Sequence, residues 1–211
     1  MAFAGLFLIT FLFVHLTINL LILFDPTREL FNRVAEFMGT NPLIQTFQWV
    51  LFAGFLIHIF YGIVLQVQNW MSRPVRYKVE GYSHTSFFSK FMIHTGAIIL
   101  IFLVIHLMNF FVKKMMGEIP HISYGGEHME DMGIMMVNKF KETWYMIIYV
   151  VALLLLGFHL DHAFQSAFQS LGLNHSKYTT FIIGLSRVIA IVIALGFISI
   201  PICIYFNIVQ Y

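Results

Sequence analysis

The sequence predicts an all-α integral membrane bundle of five transmembrane helices. Of 211 residues, 59% are hydrophobic and only 10% are charged, whereas a soluble domain has about 45–50% apolar and about 25% charged residues. This composition excludes a disordered chain, a nucleic-acid binder and an ordinary soluble enzyme. Ten histidines are many for so apolar a chain, and several lie inside its hydrophobic runs.

Five runs reach the length of about 20 apolar residues that a hydrocarbon core about 30 Å thick requires. They cover residues 3–24, 43–69, 87–112, 144–171 and 178–206. The first run lacks the basic segment and the small-residue cleavage site of a signal peptide. It begins almost at the first residue, which fits either a short N-terminal tail or a start that lacks upstream residues.

The connections between the spans differ in length and composition. The first opens with Asp25-Pro-Thr, a helix-start signal that predicts a short surface helix within residues 25–42. The third, residues 113–143, is the longest and contains Gly125-Gly126, and the fourth, residues 172–177, is a tight turn. None resembles a linker, so we expect a single domain over residues 1–211.

Charge gives a partial indication of orientation. The 12 Lys and Arg residues divide evenly between the two predicted sides, so the positive-inside rule does not decide. Almost all acidic residues fall on the side of the first and third connections. This asymmetry favours a cytoplasmic N-terminus and makes the side of those connections the outer side.

The first four predicted spans each contain one deeply placed histidine. Ionisable residues inside a membrane are costly and usually functional. Counting 1.5 Å per residue along spans of alternating direction divides them into an outer pair and an inner pair. The outer pair is His15 and His106, and the inner pair is His58 and His159.

Two imidazoles from two helices at one depth suit a haem iron that is held from both faces. Zinc is less suitable, because each pair lacks the third and fourth ligands of a tetrahedral site. Two such sites at two depths predict an electron path across the bilayer. All four histidines are therefore predicted haem-iron ligands.

Glycines near these histidines offer room for a flat macrocycle. Gly54 and Gly62 lie four residues before and after His58, on the same helix face, and we interpret them as haem-facing. Gly5 and Gly96 each precede the histidine of their span by ten residues. For these two, close packing of helices through small residues is the competing interpretation.

The remaining histidines and the cysteine have weaker interpretations. His162, one turn after His159, is predicted to bond a haem propionate or a neighbouring helix, or else to form a metal cluster with Asp161. His84, His94 and His175 lie near the inner surface, where they meet haem carboxylates or water. His121 and His128 are expected to be solvated loop residues, and Cys203 a small buried apolar one.

Four segments together resemble a known family. They are Phe13-Val-His-Leu-Thr-Ile-Asn19, Leu56-Ile-His-Ile-Phe-Tyr-Gly62, the stretch from Gly96 to His106, and Phe158-His-Leu-Asp-His-Ala163 followed by Gln165-Ser166. The chain resembles the cytochrome b membrane-anchor subunit of succinate dehydrogenase/fumarate reductase, in its single-subunit, five-helix, di-haem form. The likeness covers nearly the whole chain, and the long outer loop resembles versions from the Bacteroidetes group.

The resemblance implies a role in a membrane enzyme complex. His58 and His159 would ligate the haem b nearer the cytoplasm, and His15 and His106 the outer haem b. A flavoprotein subunit with covalent FAD would perform the dicarboxylate chemistry of the tricarboxylic acid cycle, and an iron–sulfur subunit would relay electrons. This chain would sit in a bacterial cytoplasmic membrane with its N-terminus inside, within a complex that could form a higher oligomer.

In two-haem members of this family the quinone is usually menaquinone, bound near the outer haem. The candidate polar residues on that side are Asp25, Arg28, Glu29, Glu36 and Asn109, each of which could equally be a solvated loop residue. The sequence departs from the family by lacking a basic, Ser-containing N-terminal segment. Gly157 also stands where some members have a proton-conducting Glu.

Three other functions are also compatible with the sequence. One is the cytochrome b subunit of a membrane hydrogenase or formate dehydrogenase, which usually has four spans and a different histidine distribution. Another is a metal or proton transporter, which would have acids or cysteines within its spans, where only Asp161 qualifies. The third is a structural anchor that has lost its haem.

Overall fold

The computed structural model describes residues 1–72, 91–173 and 175–211. It contains five helices that are long and apolar enough to cross a membrane: Ala2–Leu23, Pro42–Met71, Met92–Met115, Thr143–Ser170 and Lys177–Tyr205. The predicted helical bundle with five candidate spans is confirmed at this level. The predicted start of the third span, at residue 87, and His84 lie outside the described residues.

Seven helices and one hairpin follow each other along the described chain. The helices are α1 (Ala2–Leu20), α2 (Glu29–Thr40), α3 (Pro42–Met71), α4 (Met92–Leu107), α5 (Met132–Phe140), α6 (Thr143–Ser170) and α7 (Ser176–Tyr205). Strands β1 (His121–Tyr124) and β2 (Glu127–Glu130) stand between α4 and α5. A 3₁₀ turn, Leu21–Leu23, extends α1, and a π-turn, Met108–Val112, extends α4.

The core of the bundle lies along α6 and α7. Leu153, Leu160 and Ile193 are buried between these helices and α1. A Cβ atom on Gly157 would lie 3.0 Å from Ala194 Cβ, so glycine lets the two helices approach closely, as small residues do in membrane bundles. Gly157 thus packs α6 against α7.

Helix α3 lies at the edge of the bundle. Gly54 is its only buried residue, and large apolar side chains such as Leu56 and Phe60 are more than half exposed. An apolar helix without a water-facing polar stripe is what lipid contact requires. Gly54 itself faces α1, where an added Cβ would come within 2.9 Å of the Phe7 ring.

The first and third connections fold together into one structure, here called the cap: α2, the hairpin and α5. Helix α2 confirms the predicted surface helix. The hairpin was not predicted. Its register pairs Tyr124 with Glu127, so Gly125 and Gly126 form a two-residue turn with φ of 60° and 91°. Positive φ at both positions is the requirement of a type I′ turn, which glycine meets at little cost.

Asn32 is the centre of the cap, and it is fully buried. Its amide donates to Asp131 Oδ1 at 2.9 Å and to the Tyr124 hydroxyl at 3.1 Å, and its oxygen accepts from Gly133 N–H. Arg28 Nη2 pairs with Asp131 Oδ2 at 3.0 Å. These bonds tie α2 to the start of α5 across about a hundred residues of sequence.

Candidate functional site: two histidine pairs between helices

The outer pair joins α1 to α4 at the end of the bundle that bears the cap. The rings of His15 and His106 have centroids 5.8 Å apart and planes at 89°. Phe11 stacks on His15 at 5.1 Å, and Phe110 lies 5.2 Å from His106. Both histidines therefore lie among aromatic side chains, within helices that are long and apolar enough to cross a membrane.

The inner pair joins α3 to α6. The ring centroids of His58 and His159 are 6.3 Å apart, with planes at 67°. Glycines of the other two helices face these rings: a Cβ on Gly5 would lie 3.9 Å from His58 Cε1, and one on Gly96 would lie 3.5 Å from His159 Cε1. Gly5 and Gly96 thus lie at the depth of the inner pair, not beside the histidines of their own helices.

The spacing of both pairs fits two imidazoles that bind one iron. A metal–imidazole bond is about 2 Å long and the coordinating nitrogen lies about 1 Å from its ring centre, so two rings sharing an ion have centroids about 6 Å apart. The observed 5.8 and 6.3 Å match this value. The four helices thus bring together the same histidines that were paired in the sequence by their predicted depth along the spans.

Hydrogen bonds at Nδ1 also suit axial ligation, since a ligating histidine usually binds one polar partner through its other ring nitrogen. His106 Nδ1 lies 3.0 Å from the Tyr149 hydroxyl, and His159 Nδ1 lies 3.3 Å from Thr95 Oγ1. These contacts leave Nε2 of His106 and His159 for a metal. His15 differs, because its Nδ1 lies 3.4 Å from the Asn19 amide nitrogen, which is a donor and would make Nδ1 the acceptor in this contact.

His58 is the exception among the four. Its Nδ1 is buried and has no hydrogen-bond partner within the described part of the chain. A buried polar atom without a partner is costly and calls for an explanation. His58 therefore lacks the contact at Nδ1 that His106 and His159 have.

The glycines next to His58 face protein atoms. The Phe7 ring covers Gly54, and Met1 Cε would lie 3.7 Å from a Cβ on Gly62. Packing of α3 against α1 is therefore an alternative explanation for Gly54 and Gly62, beside the interpretation that they face a haem. Gly96, in contrast, directly faces a ring of the inner pair.

The other histidines divide by exposure. His162 is half-buried on α6, and the neighbouring Asp161 turns toward α7, where its Oδ1 accepts from Ser186 Oγ at 2.7 Å and from Gln165. His94, His121 and His128 are exposed. His175 caps α7 by accepting the Lys177 N–H. Among residues 1–72, 91–173 and 175–211, no three His, Cys, Asp or Glu side chains are placed to hold a metal ion.

Most of the predicted quinone residues make internal contacts. Asp25 accepts the N–H groups of Thr27 and Leu30, and Arg28 pairs with Asp131. Glu29 binds Arg33 at 2.8 Å on the surface of α2. The Asn109 amide donates to the Ile105 carbonyl one turn before it.

Glu36 differs from these four. Its Oε2 is buried and has no hydrogen-bond partner among the residues that the structure describes. Together with Arg33, Glu127, His128 and Met129 it lines an open cavity of about 410 Å³ between α2 and β2. Of the predicted residues on this side, Glu36 is the one with an unused acceptor next to open space.

Three polar residues beside the pairs were not predicted: Tyr149, Tyr145 and Thr95. Tyr149 and Tyr145 are buried one turn apart on α6, with hydroxyls 2.9 Å apart. The sequence could have indicated this contact, because two tyrosines four residues apart in an apolar helix lie on one face and their buried hydroxyls need polar partners. Thr95 carries no such signal, because a lone threonine in a helix usually binds its own backbone.

No protein-family model, curated protein or solved structure that was compared with this chain matches it.

Proposed function

We propose that this chain is the cytochrome b membrane-anchor subunit of a succinate dehydrogenase/fumarate reductase complex. In this role it carries electrons between an iron–sulfur subunit and a quinone, and the dicarboxylate chemistry belongs to partner subunits. The observation that carries the proposal is the pairing of four histidines from four helices into two sites at two depths.

Each helix contributes one ligand to one site. His15 and His106 would hold an outer haem b, and His58 and His159 an inner haem b. When bound, these groups supply reversible one-electron chemistry. Tyr149 and Thr95 contact the rings of His106 and His159 at Nδ1, which leaves Nε2 of both rings for the iron.

The cap provides the best candidate for proton exchange with a quinone. Glu36 Oε2 is buried, without a hydrogen-bond partner among the described residues, at the edge of the cavity that Arg33 and His128 also line. A carboxylate so placed can accept the proton that a quinol releases, or return it to a quinone. Menaquinone is the expected quinone, because the resemblance implies it.

Partners and location follow from the same resemblance. A flavoprotein subunit with FAD would perform succinate or fumarate chemistry, and an iron–sulfur subunit would dock on the cytoplasmic side of a bacterial inner membrane. The five apolar helices support placement in a bilayer. The N-terminus is proposed to be cytoplasmic, which puts the cap on the outer face.

The proposal is tested by donor-driven reduction of the cytochrome in the intact complex. A tag on this chain is used to purify the complex from membranes, and the b-type absorption band is followed after adding succinate or a menaquinol analogue. We expect both donors to reduce the band, and covalent flavin to co-purify with the chain. Haem that only dithionite reduces, with no co-purifying flavin, would contradict the proposal.

Glu36→Gln is the matched test of the quinone residue, with Glu29→Gln as its control on the same helix. Glu36→Gln should slow quinol-driven reduction at least tenfold, because a proton acceptor is lost, while succinate-driven reduction keeps its rate. Glu29 binds Arg33 on the surface, so Glu29→Gln should leave both rates unchanged. Equal effects of the two variants would exclude Glu36 from this role.

A further inference from the structure

A hydrogen-bonded chain leads from His106 toward the cap through two buried tyrosines. His106 Nδ1 lies 3.0 Å from the Tyr149 hydroxyl, which lies 2.9 Å from the Tyr145 hydroxyl. Tyr149 is 5% exposed and Tyr145 is fully buried. Among the four histidines, His106 has the shortest contact at Nδ1.

The direction of these hydrogen bonds follows from ligation. If His106 binds iron through Nε2, its Nδ1 carries the proton, so Nδ1 donates and the Tyr149 oxygen accepts. The Tyr149 hydroxyl hydrogen is then free to donate to Tyr145. This second bond increases the electron density on the Tyr149 oxygen and makes it a better acceptor.

Packing holds the Tyr149 ring in place. Phe102 of α4 meets it edge-on at 4.8 Å, and Phe140 of α5 meets it edge-on at 4.9 Å. Phe140 belongs to the cap, so the position of the tyrosine depends on the cap as well as on α6. These contacts from two helices hold the Tyr149 hydroxyl beside His106.

We propose that Tyr149 is a positioning residue that lowers the reduction potential of the outer haem through His106. This inference rests on the proposed function. An acceptor at Nδ1 makes the imidazole a stronger electron donor through Nε2, and a stronger donor stabilises oxidised iron more than reduced iron. Tyr145 supports this effect by accepting the hydrogen of Tyr149.

The test is a spectroelectrochemical titration of the purified full-length protein with its haems bound, comparing the wild type with Tyr149→Phe. Phenylalanine keeps the ring and its contacts but removes the acceptor. We expect the midpoint potential of the outer component to rise, with both haems retained and the inner component unchanged. At a fixed applied potential, the ratio of reduced to oxidised outer haem should rise by up to about tenfold. For a one-electron couple this corresponds to a rise of about 59 mV in midpoint potential.

Tyr145→Phe provides a second variant that leaves the acceptor of His106 in place. It should shift the outer component in the same direction by a smaller amount. An outer potential that stays unchanged in both variants, or equal shifts of both components, would overturn the inference. A wild-type protein without haem would instead overturn the proposed function, so the two failures are distinguishable.

Discussion

The outer and inner histidine pairs have nearly the same ring spacing but different surroundings. The outer pair lies among Phe11, Phe110 and Phe197, and its His106 is fixed by a tyrosine that the cap helps to hold. The inner pair faces glycines from α1 and α4. The comparison teaches that ring spacing is set by the helices, whereas the polar environment of each ring is set by single side chains.

His58→Ala and His159→Ala should have the largest effect, because each removes one ligand of the inner pair. We expect the haem content of the purified protein to fall from two to one per chain, with the outer spectral component retained. His121→Ala, a change in an exposed residue of β1, is the control and should keep both haems. Loss of the outer component alone would show that the assignment of the pairs is inverted.

Asp131→Ala should destabilise the cap and with it the surroundings of the outer pair. It leaves Arg28 and the buried Asn32 amide without their carboxylate, which costs about 3 kcal/mol for a largely buried pair. Thermal unfolding in detergent would measure the loss. Glu127→Ala breaks the exposed pair with Arg33 and should cost less than about 1 kcal/mol. Equal losses would contradict a central role for Asp131.

The same carboxylate predicts a pH dependence. Burial alone would raise the pKa of Asp131, but hydrogen bonds from Arg28, Asn32 and the Ile134 N–H hold this pKa below its ordinary value. Because the folded protein favours the ionised form of Asp131, this carboxylate adds to the free energy of unfolding. The added stability is complete above about pH 5 and is lost as the carboxylate takes up a proton below about pH 4. Unfolding followed between pH 3 and about 6 should show this loss. Asp131→Asn should flatten it, and an equally steep loss in that variant would assign it to other groups.

Gly54→Ala tests whether Gly54 serves the packing of α3 against α1 or makes room for a cofactor at the inner pair. The added Cβ would lie 2.9 Å from the Phe7 ring, and such overpacking costs about 1–3 kcal/mol. We expect lower thermal stability with an unchanged inner spectral component. Gly62→Ala, whose Cβ would make an ordinary 3.7 Å contact with Met1, should be nearly neutral. Loss of the inner haem in Gly54→Ala without loss of stability would favour the cofactor interpretation instead.

Thr95→Val should have the smallest effect, a rise in the potential of the inner component. It removes the oxygen 3.3 Å from His159 Nδ1, a longer contact than that of Tyr149 with His106. The shift should therefore be smaller than that of Tyr149→Phe on the outer component. Thr46→Val, which changes an exposed threonine that binds its own backbone, should shift neither. A shift of the outer component in Thr95→Val would contradict separate control of the two sites.

Sequence patterns were sufficient to predict the helices and the pairing of the histidines, because both depend on regular rise along apolar helices. His15 and His106 could be matched by depth alone. Of the cap, only the surface helix α2 was predicted. The assembly of α2 with the hairpin and α5 could not be, because Asn32 and Asp131 are about a hundred residues apart and their contact depends on the folded connections. The position of Gly96 beside His159 likewise depends on how α4 packs against α6.

The central claim is that each histidine pair holds one haem b. The most direct measurement is a reduced-minus-oxidised absorption spectrum of the purified full-length protein, combined with haem quantitation per chain. The account predicts b-type bands and two haems per chain, of which one is lost in His106→Ala and the other in His159→Ala. A wild-type protein that binds no haem, or a single haem that survives in both variants, would contradict it.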